Sequence, residues 1–161
     1  MTATQTIPDP ASPTADRELS MTRDFDAPRE LVFQAWTDPA HLVQWYGPDG
    51  FTITIYSMDV RPGGMWRFIM HGPDGTDYTN RIVYSEVVRP ERLVFVHGED
   101  VDDDPHAFDV TIRFDEVDGR TRVTNHMVLR TAAQRAEAVA FGAIELGQQT
   151  LARLAEHLKT M

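Results

Sequence analysis

The stretch from Thr131 to Lys159 constrains this chain most. It has the period of one long amphipathic helix in a sequence that otherwise reads mostly as strands, so the rest of the chain must bury its apolar side. At about 100° per residue, Ala133, Ala136, Ala140, Ala143, Ile144, Gly147, Leu151, Leu154 and Leu158 form one stripe, and Arg135, Glu137, Arg153 and Glu156 fall mostly away from it. Thr131 and Gln134 fit a T-x-x-Q capping box, in which the two side chains satisfy the first free backbone donors of the helix. The stripe is small in its first half and bulky in its second. Gly142 and Gly147 each cost roughly 1 kcal/mol of helix propensity relative to alanine, so packing or function must require them. Either the sheet backbone presses close to the first half, or the missing side chains leave a hollow between helix and sheet that Leu151, Leu154 and Leu158 close at one end.

The chain that must wrap this helix begins with Met1 to Asp16, which holds Pro8, Pro10, Pro13, four threonines and little to bury. A disordered tail is expected there, ahead of one domain over residues 17–161. Glu18 to Asp26 alternates as a short strand, and Asp26-Ala27-Pro28 opens a helix carrying Leu31, Val32, Phe33 and Trp36. Thr37-Asp38-Pro39 ends that helix and starts a second, short one with Leu42, Val43 and Trp45, stopped by Gly47-Pro48. From Phe51 the period changes to two. Strands are expected over Phe51–Val60, Met65–His71, Thr76–Val88, Leu93–His97, Phe108–Asp115 and Arg120–Arg130, with turns at Pro62-Gly63-Gly64, Gly72-Pro73-Asp74-Gly75, Pro90-Glu91-Arg92 and Asp118-Gly119. The order strand, two short helices, six-strand meander, long helix implies an α+β fold, a curved antiparallel sheet of about seven strands around the terminal helix.

A length of 161 residues with 42% apolar composition suits one well-buried domain. No apolar run reaches membrane-spanning length and the N-terminus has no signal-peptide pattern. With no cysteine in the sequence, a cytoplasmic location is expected. A formal charge of −10 argues against nucleic acid or an anionic membrane as partner. His41, His71, His97, His106, His126 and His157 are scattered, without H-E-x-x-H, so no metal site is expected. The acidic run Glu99 to Asp104 lacks the glycine and terminal glutamate of an EF-hand loop and reads as a solvated surface loop. No phosphate loop, nucleophile elbow or dinucleotide fingerprint occurs, and no cofactor is expected.

Six spaced motifs then carry a resemblance: Arg23-Asp24-Phe25-Asp26-Ala27-Pro28, Trp36-Thr37-Asp38-Pro39, Trp45-Tyr46-Gly47-Pro48, Asp59-Val60-Arg61-Pro62-Gly63-Gly64, His71-Gly72-Pro73-Asp74-Gly75 and Pro90-Glu91-Arg92-Leu93. From about Arg17 to Leu158 the sequence resembles bacterial proteins related to the C-terminal domain of the Hsp90 ATPase activator, within the START-like, helix-grip (SRPBCC, Bet v 1-like) superfamily. The resemblance implies a sheet gripping the C-terminal helix over an apolar cavity. It also implies a tryptophan in the last helix near the position of Gly147, which this chain lacks, and a larger hollow follows from that. Physically the motif glycines and prolines serve turns and helix ends, and Asp59 with Arg61 orders a loop.

Strand parity supplies the candidate wall of that cavity. Trp66, Phe68 and Met70 share one face, as do Tyr78, Asn80, Ile82, Tyr84 and Glu86, while Phe95 and His97 follow Leu93, and Phe108 opens the next strand. Asn125 lies between Val123 and Met127. Trp36 and Trp45 come from the two short helices, Trp45's helix being expected to act as a lid, and Ile144 with Phe141, Glu145 and Gln148 from the long one. Aromatic and methionine-rich walls with a few polar groups suit a small apolar or aromatic ligand, and they suit an ordinary core equally. Asn80, Glu86, His97 and Asn125 discriminate, because buried polar groups need partners. Three functions follow: a small-molecule binder acting as monomer or homodimer; a cyclase- or hydrolase-like enzyme with His97 or Glu145 as acid or base; and, from the family's name alone, an Hsp90 co-chaperone.

Overall fold

The structure, a computed structural model, describes residues 4–5 and 13–161. The expected tail therefore falls largely outside the described residues. Of it, Thr4–Gln5 forms a two-residue strand, β1, and Ala15–Arg17 makes a 3-10 turn. Seven longer strands follow as expected: β2 (Glu18–Phe25), β3 (Thr52–Met58), β4 (Met65–His71), β5 (Asp77–Val88), β6 (Arg92–Gly98), β7 (Phe108–Val117) and β8 (Arg120–Val128). All pairings are antiparallel, in the order β1-β2-β8-β7-β6-β5-β4-β3. The β7–β8 hairpin turns where Asp118 and Gly119 both take positive φ, 53° and 77°, as a tight two-residue turn requires.

Between β2 and β3 lie α1 (Arg29–Thr37) and α2 (Pro39–Trp45). The Asp38 carboxylate accepts the Ala40 N–H at 2.9 Å, capping a helix whose first residue is proline, which has no N–H to lose. Trp45 is fully buried and donates its indole N–H to the Ala35 carbonyl at 3.1 Å, locking α2 to α1. Trp36 meets Trp45 edge to face at 4.9 Å, and Trp66 stacks on Phe68 at 4.2 Å. Such pairs add about 0.5–1.5 kcal/mol beyond the area they bury.

The terminal segment departs from one continuous helix. It forms α3 (Ala132–Phe141) and α4 (Ala143–Leu158), separated by Gly142 in the left-handed region at φ 99°. The capping threonine works as expected, Thr131 Oγ1 accepting the Gln134 N–H at 3.0 Å, but Gln134 Oε1 reaches back to the N–H of Arg130. No α3 residue is buried, and Ala133, Ala136 and Ala140 face outward, whereas Leu151, Leu154 and Leu158 of α4 enter the core. A left-handed residue resets the helical phase, so the alanines before it and the leucines after it do not share a stripe.

Two further expectations change. A β-bulge between Tyr84 and Glu86 shifts the register against β6, so Glu86 emerges outside and pairs with Arg92 at 3.2 Å. The acidic loop is not simply solvated. Arg67 and Arg81 both bond Asp100, and buried Asp104 accepts the N–H groups of Glu99 and His106 at 2.8 and 2.9 Å. Hydrogen bonding to Arg67 first, and then to Arg81, holds the Asp100 carboxyl below its ordinary range. Among the described residues no helix is long and apolar enough to cross a membrane.

A Cβ on Gly142 would have Glu145 Oε2 as its nearest neighbour, at 3.6 Å, so nothing blocks a side chain there sterically. Gly142→Ala is accordingly expected to lower the unfolding free energy by about 1–2 kcal/mol through backbone strain alone. Urea denaturation at unchanged m-value measures this, and an unaltered midpoint would contradict the phase break.

Candidate functional site

A hollow of about 190 Å³ lies between the concave face of the sheet and the N-terminal half of α4. Met70, Phe95 and His97 come to it from β4 and β6, Phe108, Val110 and Ile112 from β7, and Asn125 with Met127 from β8. On the helical side, Trp36 and the Tyr46-Gly47-Pro48 turn face Ala143, Gly147, Thr150 and Leu151. Among the described residues, no Asp, Glu, Lys or Arg side chain belongs to this lining.

Small residues on α4 explain part of the space, although Gly147 leaves less of it than its missing side chain suggests. A Cβ at Gly147 would strike Cε of Met21 and lie 2.7 Å from its sulfur, so the buried Met21 thioether already occupies the ground in front of the glycine. The turn that forms the other side is held by Arg153. One guanidinium nitrogen, Nη1, shares its two hydrogens among the carbonyls of Gly47, Pro48 and Phe51 at 2.8, 2.9 and 3.0 Å, and Gln149 Oε1 accepts the Asp49 N–H at 3.1 Å. Charge-assisted bonds of this kind are about twice as strong as neutral ones. They fix the turn to α4.

His97 is the main polar group on the wall. Its Nε2 lies 2.9 Å from Asn80 Oδ1, and its ring is packed between Phe68 and Phe108, with centroids at 6.0 and 5.1 Å. Burial pushes its pKa down from 6.5 to about 4, because the charged ring would lose its hydration without gaining a counter-ion. Burial likewise pushes the Tyr46 phenol well above its ordinary value. Asn125 Oδ1 and Trp36 Nε1 are buried and have no hydrogen-bond partner among the described residues. The Thr150 hydroxyl is taken up by the Leu146 carbonyl at 3.1 Å.

Of the residues that strand parity and helix period nominated, Trp36, Met70, His97, Phe108, Asn125 and Met127 surround this hollow. Trp45, Trp66, Phe68 and Tyr84 are instead packed into the closed core beside it. Asn80 stands behind His97. Tyr78, on the inward face but at the open end of β5, is 46% exposed and rests near Phe51. Phe141 is 78% exposed, and Glu145 is exposed, because the break at Gly142 turns that flank outward; Ile144 and Gln148 are half-buried outside the lining. Sequence reasoning missed Met21, Tyr46, Thr150 and the Gly47-Pro48 turn. Tyr46 and its turn belong to a motif read as helix-terminating punctuation, and no period links them to the sheet. His41 and His157 pair at 2.9 Å across α2 and α4, away from the hollow, and no cluster of three metal-ligating side chains occurs among the described residues.

A curved antiparallel sheet closed by a C-terminal helix over a partly apolar hollow defines a helix-grip α+β protein. The Activator of Hsp90 ATPase homolog 1-like protein family matches residues 26–159, and the chain belongs to that family. Among solved structures it is similar to a Mycobacterium smegmatis protein at 26% identity, covering 95% of this chain and 96% of that one with a TM-score of 0.80. A Nitrosomonas europaea protein is similar at 26% identity, with 91% and 96% covered and a TM-score of 0.82. A Rhodobacter sphaeroides protein at 21% identity, with 99% of each chain covered and a TM-score of 0.85, shares the fold. No curated protein matches.

The low pKa of His97 has a defined consequence for stability. The unfolded chain takes up a proton near pH 6.5 that the folded chain refuses until about pH 4. His97 therefore contributes stability above pH 6.5 that is lost as pH falls toward 4, with a slope of at most about 1.4 kcal/mol per pH unit. His97→Gln should flatten that part of the stability curve, and an NMR titration should place the wild-type imidazole well below 6.5. A raised pKa would put the ring outside the core.

Proposed function

We propose that this protein binds a small apolar or aromatic molecule in the hollow between the sheet and α4. The observation that carries the reading is the composition of the lining: aromatic, methionine and aliphatic walls, two polar side chains on the strands, and, among the described residues, no charge. Apolar area supplies affinity and the sparse polar groups supply orientation. The size is informative as well. A cavity of about 150 Å³ accepts benzene, so about 190 Å³ suits a single substituted ring better than a steroid or an acyl chain.

A catalytic use of the same hollow is less well supported. A general base works best with a pKa near the operating pH, and His97 at about 4 is a weak one, with no carboxylate in the lining to orient or assist it. Glu145, the other acid–base candidate, is exposed on α4. A protein-partner role rests on the family's description alone.

Gly147→Trp tests the reading, since the indole must displace the Met21 thioether and take up the hollow. Titration with toluene, followed by amide shifts of Ala143, Thr150 and Asn125, should saturate for the wild type and weaken at least tenfold for the variant. Equal affinity in a folded Gly147→Trp protein would refute it.

A further inference from the structure

We propose that the hollow selects a neutral ring compound bearing a hydroxyl group, which donates its hydrogen to Nδ1 of His97; this rests on the ligand-binding reading above. Asn80 Nδ2 donates to the Tyr78 carbonyl at 2.8 Å, which fixes the amide so that its oxygen, not its nitrogen, meets His97 Nε2 at 2.9 Å. An amide oxygen only accepts, so Nε2 carries the imidazole hydrogen and Nδ1 keeps a bare lone pair. Among the described residues Nδ1 has no donor, and His97 stands on the wall of the hollow with part of its surface accessible. Burial keeps the ring neutral at pH 7, so this acceptor is not lost to protonation.

Asn125 Oδ1 and the Trp36 indole N–H belong to two other residues of the lining but are themselves sealed beneath the surface, and neither finds a hydrogen-bond partner among the described residues. A hydroxyl suits this lining because it donates to Nδ1 and brings no charge with it. A carboxylate does not: it cannot donate to Nδ1, and the lining holds no Lys or Arg to offset the loss of its hydration. An ammonium would likewise enter without a carboxylate. Asn80 is thereby a positioning residue, acting through the tautomer of His97.

The test compares toluene, p-cresol and 4-methylbenzoate, which share one ring and one methyl group. The wild type is expected to bind p-cresol roughly three- to tenfold more tightly than toluene, and 4-methylbenzoate far more weakly than either. His97→Phe should abolish the preference for p-cresol while retaining toluene, and His97→Gln, which restores an acceptor, should recover part of it. Asn80→Leu should shrink the preference without removing toluene binding. Because His97→Phe could disturb packing, the wild type is also followed by ¹⁵N NMR: Nδ1 should resonate as an unprotonated nitrogen and shift on addition of p-cresol but not of toluene. Toluene binding with no p-cresol preference, a preference that survives in His97→Phe, or a protonated Nδ1 overturns the hydroxyl selection and leaves the binding reading standing. Failure of both neutral rings to bind overturns the two together.

Discussion

The burial of Leu151, Leu154 and Leu158 against the sheet and the short helices is the interaction on which the rest of this structure depends. Each fully buried leucine contributes about 1.5–3 kcal/mol, enough to dock α4 and to set how far its axis stands from the concave face. Farther up the helix the same separation must be bridged by Ala143 and Gly147, which cannot reach across it. Met21 rises from β2 to fill some of the difference, and the hollow is what remains. A helix docked by large side chains at one end and small ones at the other makes a wedge.

The wedge needs a second wall, and Arg153 provides it from the same helix. By collecting three carbonyls of the turn after α2, it ties Gly47 and Pro48 to the rim of the hollow. Gly47 is required there for a physical reason. Its φ of 113° lies in the left-handed region, and a Cβ would press on Met70 and Phe51 at 3.2 Å. The aromatic cluster of Trp36, Trp45, Trp66 and Phe68 makes the adjoining core rigid, so the open space borders a closed-packed one. Polar groups are sparse in this interior. Placing a neutral imidazole there, with its tautomer held by Asn80, avoids the large cost of a buried charge.

Much of this was legible in the sequence because it is local. Pro39 after Asp38 marks a helix start whatever the surroundings, and alternation along Phe108, Val110, Ile112 and Phe114 is a property of the strand itself. Parity also placed His97 and Asn125 on the inner face, and the family motifs pointed to the fold. Parity failed where one residue changed the count. The bulge at Tyr84 turned Glu86 outward, and the left-handed Gly142 turned Phe141 and Glu145 away from the sheet, while Gly147 and the leucines beyond it still meet the interior.

What the sequence determined by itself, then, was the set of elements, their order and the inward face of most strands, since these follow from backbone propensity, capping and the two-residue pleat. Only the tertiary structure decided where the open space lies and which residues border it. That depends on the distance between α4 and the sheet, on Met21 filling the ground before Gly147, and on Arg153 drawing the Tyr46-Gly47-Pro48 turn against the helix from more than a hundred residues away. No local period encodes such contacts. They arise from volumes and hydrogen bonds balanced across elements that meet only when the chain has folded.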